Sequence, residues 1–154
     1  MYRIIIIYLF TILLLESCGS SENIGEISRI KKSVESVEIL LSRYDSNVQS
    51  AIDTRNFGYI SLVSQEAVDS ADIVIEKLKI IAETSSNPEL VYAAISYTEA
   101  LREVMIAEEA YSALSESLSK KEARQIDNNF LESSKKAQQA YVRYSSLLKQ
   151  QSFR

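Results

Sequence analysis

The chain has no histidine and no tryptophan, one cysteine, one proline and three glycines in 154 residues. Each scarcity excludes something. Without histidine, the commonest general base and the commonest zinc ligand are missing. The Glu-x-x-His pairs of di-iron bundles cannot be built either. A single thiol rules out an intrachain disulfide, and a free thiol in an oxidising compartment is a liability. So few glycines leave no glycine-rich phosphate loop, and no Gly-x-Ser-x-Gly turn is present. The same scarcity argues against a sheet protein with many tight turns and for long, unbroken helices.

Carboxylates remain as candidate chemistry. Glu99, Glu103, Glu108, Glu109 and Glu116 crowd the third predicted helix. A pair at glycosidase spacing would arise by chance in such a run, and no tryptophan-lined cleft accompanies it. Glu103 and Glu108 are expected to flank the core stripe and face solvent. The expectation is a protein that is not an enzyme, with no cofactor and no metal site.

The formal charge is −4. Removal of residues 1–17 takes away Arg3 and Glu16 and leaves it at −4. That favours solubility and is too small to steer a ligand. The pairs Lys31-Lys32, Lys120-Lys121 and Lys135-Lys136 are interleaved with acids, so no basic run marks a nucleic-acid site.

The lone cysteine has an informative place. Met1-Tyr2-Arg3 supplies one positive charge, and Ile4–Leu15 is an apolar stretch broken only by Tyr8 and Thr11. A membrane-spanning helix needs about 20 apolar residues, whereas a signal-peptide core needs about 7–15. Leu15-Glu16-Ser17-Cys18 then resembles the lipobox of bacterial lipoproteins: an aliphatic residue, a tolerant position, a small residue, then cysteine. Glu16 departs from the small or apolar residue usual at its position. The resemblance implies a diacylglyceryl group on the Cys18 sulfur, cleavage before Cys18 and acylation of the freed amine. It also implies a location in the bacterial cell envelope. Gly19, where aspartate would favour inner-membrane retention, points to the outer membrane. The expected organisation is a signal peptide over 1–17, a lipidated Cys18 with a polar tether over 18–23, and a helical domain over 24–154.

That domain reads as four amphipathic helices. Ile27, Ile30, Val34, Val37, Leu41, Tyr44, Val48 and Ala51 alternate steps of three and four, with Asn23 as the expected cap. Asn56-Phe57-Gly58 is the expected first turn, with Asn and Gly suited to a left-handed helix end. Ile60, Val63, Ala67, Ala71, Val74, Leu78 and Ile81 form the second stripe. Leu62, Val68, Ile73, Ile75 and Ile80 widen it, so this helix is expected to be buried on more sides than the first. Asn87-Pro88-Glu89 starts the third helix, whose stripe includes Leu90, Ala94, Tyr97, Leu101, Val104 and Tyr111. Ser119-Lys120-Lys121-Glu122 reads as a capping box opening the fourth. An antiparallel up-down four-helix bundle is the simplest way to bury four stripes. The alternative is three long helices, the last two fused into a rod that pairs with a second chain as a coiled coil.

Tyrosine is the interface residue available here. Tyr44, Tyr97, Tyr111 and Tyr144 fall on core stripes, while Tyr59, Tyr92 and Tyr141 fall at stripe edges and are the candidate partner-facing residues. The sequence thus suggests a membrane-anchored, non-catalytic binding or scaffolding module. Its partners would be the membrane, through the lipid on Cys18, and another envelope or host protein, with no nucleic acid. Whether two chains associate stays open. A carrier of a small apolar ligand is the alternative, and a carboxylate-dependent hydrolase ranks last.

Overall fold

A computed structural model describes the backbone of residues 2–112 and 118–152 and the side chains of residues 24–112 and 118–151. It contains four helices: α1 (Tyr2–Asp53), α2 (Phe57–Thr84), α3 (Pro88–Ser112) and α4 (Lys120–Ser152). The lipidation expected at Cys18, and the side chains of Leu114 and Glu116, lie outside the described residues. Among the described residues no helix is long and apolar enough to cross a membrane.

The four helices form an all-α bundle in which successive helices run antiparallel. α3 is its centre, packing on α1, α2 and α4, while α1 also packs on α2. Because the chain reverses before α4 and α4 lies back along α3, the fused-rod alternative does not hold.

The α1 stripe is buried as its spacing predicts: Ile30, Val34, Val37, Tyr44, Val48 and Ala51 are almost fully enclosed. Its start differs from expectation. The helix is already continuous at position 23, so Asn23 does not cap it. No proline interrupts the stretch before Ile27, so nothing in the backbone forces a break there. Glu26, one turn along α1, reaches the α2–α3 turn. There it accepts hydrogen bonds from Ser85 Oγ and from Ser86 N and Oγ. Partial burial opposes its charge, but these donors outweigh that and hold the carboxyl below its ordinary range.

The α1–α2 turn also departs from the reading. Asn56 N donates to Ala51 O at 2.8 Å and Arg55 N to Ile52 O at 3.0 Å. This pair of bonds is a Schellman ending, and the left-handed residue in it is Arg55, with φ 55°. Gly58 sits inside α2, not in the turn. The later boundaries match their signals. Pro88 opens α3, with Asn87 O accepting from Leu90 N and Val91 N. At α4, Ser119 N donates to Glu122 Oε2 at 3.0 Å and Glu122 N to Ser119 Oγ at 3.3 Å, the reciprocal capping box.

The widened stripe expected on α2 is buried only in part. On α2, Ile75 is enclosed but Leu62, Ile73 and Ile80 are each more than half exposed. α3 is the helix buried on several sides, through Leu90, Val91, Ala93, Ala94, Ile95, Tyr97, Thr98, Leu101, Val104 and Met105. The reason is position: α3 has three neighbours, so residues off its main stripe also meet a helix. Its alanines let those neighbours approach closely.

Candidate functional site

Three helices bring tyrosines together around one carboxylate. Tyr97 of α3 donates its hydroxyl to Glu38 Oε1 of α1 at 3.0 Å. Its ring lies 5.9 Å from that of Tyr144, nearly parallel, and 5.4 Å from that of Tyr141, tilted by 57°. Such offset and tilted pairs contribute about 0.5–1.5 kcal/mol each beyond area burial. Tyr97 and Tyr144 are buried, and burial raises both phenol pKa values above the ordinary range. Tyr144 Oη finds no hydrogen-bond partner among the described residues. An unsatisfied buried hydroxyl costs about 1–3 kcal/mol.

Beside this cluster is a depression of about 390 Å³, open to solvent and lined by Glu38, Tyr97, Leu101, Ala137, Gln138 and Tyr141. Tyr141 keeps nearly half of its surface exposed there. A ring face next to a carboxylate suits a cationic side chain from a partner.

A second polar group closes the other end of the bundle. Tyr44 is buried and donates its hydroxyl to Met105 O at 3.2 Å, and burial raises its pKa to about 12. Ser64, also buried, donates to Glu109 Oε2 at 2.8 Å. Glu108 does not simply face solvent, contrary to the sequence expectation. Burial first, and then its hydrogen bond with Asp45, push its carboxyl up to about 8. The signal was present: Glu108 follows Leu101, Val104 and Met105 at steps of three and four, so it lies on the core stripe. Glu103 does reach the surface, accepting from Arg102 Nη1 at 3.0 Å. Among the described residues no group of three or more metal-ligating side chains comes together.

The tyrosines singled out from the sequence do not share a surface. Tyr59 stands at the α1–α2 end, Tyr92 near the α2–α3 end, and Tyr141 on the flank between; all three are exposed. Tyr59 and Tyr92 are separated by most of the length of α2, roughly 34 Å at 1.5 Å per residue. Tyr111, expected in the core, keeps nearly half of its surface exposed and stacks on Phe130 of α4 at 5.1 Å. Sequence reasoning missed Glu38, which lies off the apolar stripe of α1 and meets Tyr97 only through the packing of α3. No family model, no curated protein and no solved structure matches this chain significantly.

Proposed function

We propose that this protein is a membrane-anchored lipoprotein whose helical domain acts by binding another protein of the cell envelope or of a host, without catalysis of its own. The observation that carries this reading is the placement of Cys18. It is the sole thiol, it ends an apolar leader too short to span a bilayer, and it precedes the chain segment that enters the bundle through α1. Each buried acyl CH₂ contributes about 0.8 kcal/mol, so two or three chains hold a small domain firmly at a bilayer. The Glu38–Tyr141 depression supports the binding part. It is open at a helix seam, which suits a partner's side chain better than enclosure of an apolar ligand.

Metabolic labelling with radioactive palmitate tests the anchor. The wild-type chain should take up label and migrate as a processed form. Cys18→Ala should lose the label and accumulate as precursor. Label persisting on the alanine variant would remove the lipoprotein reading.

A further inference from the structure

Two exposed faces of the bundle complement one another. On α2, Leu62, Glu66, Asp69, Ile73, Glu76 and Ile80 are all exposed. At 100° per residue they lie within about 40° of one line along the helix. Three are aliphatic and three acidic, and Glu66 and Asp69 have no ion-pair partner among the described residues. On α4, Lys120, Arg124, Leu131, Lys135, Val142 and Lys149 make a matching exposed line, aliphatic and basic, with Asp127 at its edge. α2 as a whole carries five acids against two bases, and α4 seven bases against three acids. Leu62, Ile73, Ile80, Leu131 and Val142 are each more than half exposed.

Spacing and height agree as well. Leu62 and Ile73 are eleven residues apart, as are Leu131 and Val142. α2 and α4 run in the same direction, since each packs antiparallel on α3, and they build no substantial interface with each other. Cross-helix contacts fix their relative height. Ser64 meets Glu109 and Asp72 meets Arg102 across α2–α3. Tyr111 meets Phe130 and Tyr97 meets Tyr141 across α3–α4. Leu62 and Leu131 therefore differ in height by only two to three residues, roughly 4 Å at 1.5 Å per residue.

We propose that the occupant of the α2 face is the α4 face of a second copy of this chain. Copies standing side by side in the same orientation, shifted by that small amount, set Leu62 against Leu131, Glu66 against Lys135 and Ile73 against Val142. The contact is heterologous, so it propagates into an open row or a ring and does not stop at a dimer. Lipid anchoring to one bilayer would enforce the shared orientation; that clause alone rests on the function proposed above.

Crosslinking of the full chain in intact cells, with a short membrane-permeant bifunctional maleimide, tests it. Leu62→Cys combined with Leu131→Cys should give a ladder of dimers, trimers and larger species. Either substitution alone should give no dimer, and coexpression of the two single variants should give dimers that go no further. Adding Glu66→Lys to the double variant should abolish the ladder, and adding Lys135→Glu as well should restore it. High salt should weaken it. No ladder, dimers from a single variant, or crosslinks only to other proteins would overturn the proposal. Wild-type chain crosslinking through Cys18 would count against the lipid anchor alone, and the same variants made on Cys18→Ala then read the ladder without that thiol.

Discussion

Arg55 carries an identifiable cost. It occupies the left-handed position of the α1 ending at φ 55°, where a side chain clashes with its own backbone. For a residue other than glycine this conformation costs about 1–2 kcal/mol. Arg55→Gly should therefore stabilise the protein by roughly 1 kcal/mol, less than the full relief because glycine also loosens the unfolded chain. Urea unfolding would show a higher midpoint at an unchanged slope; an unchanged or lowered midpoint would mean the turn does not limit stability. The neighbouring Asn56 and Gly58 looked like better hosts for this conformation. Hydrogen bonding of the last helical carbonyls, at Ala51 and Ile52, selects the residue one position earlier.

Between α1 and α3, the Asp45–Glu108 pair makes packing depend on pH. In the folded protein Glu108 keeps its proton until about pH 8, whereas an unfolded glutamate loses it near pH 4.3. The folded state thus binds the extra proton, and its contribution to stability is complete below the unfolded value. It declines as pH rises and is lost once pH passes the folded value. Glu108→Gln, which cannot ionise, should flatten this slope. It should exceed wild type in stability at pH 8 and match it near pH 4. Chemical denaturation at both values measures this; parallel pH profiles would show that Glu108 is not held protonated. The sequence reading sets Glu108 beside the core stripe and facing solvent, whereas the fold partly buries it. Only the packing of α1 brings Asp45 to it.

In the molecule as a whole, stability is distributed unevenly. α3 buries residues against three helices, whereas α4 packs mainly on α3 and, among the described residues, encloses only Ala137 and Tyr144. Phe130, Ala140, Leu147 and Leu148 reach the core only in part. A helix with few enclosed apolar side chains opens at lower free energy than the centre it leans on. Native-state hydrogen exchange should find α4 amides exchanging at least an order of magnitude faster than those of α3. Equal protection along both helices would mean that the bundle opens only as one unit.

The steps of three and four among apolar residues were enough to specify four helices, their inner stripes and the caps at Asn87-Pro88 and Ser119–Glu122. These are local matters: helical period, fixed proline geometry and a side chain reaching its own backbone three residues away. Which helix lies at the centre was not written locally. Ile73 and Ile80 look as buriable as Ile75, and Tyr111 as buriable as Tyr97, until the neighbours of α2 and α3 are known. Glu38, Tyr97 and Tyr141 come from three helices, far apart in the chain, and so do the heights of Leu62 and Leu131. Burial and juxtaposition depend on which elements meet, so only the tertiary structure decided them.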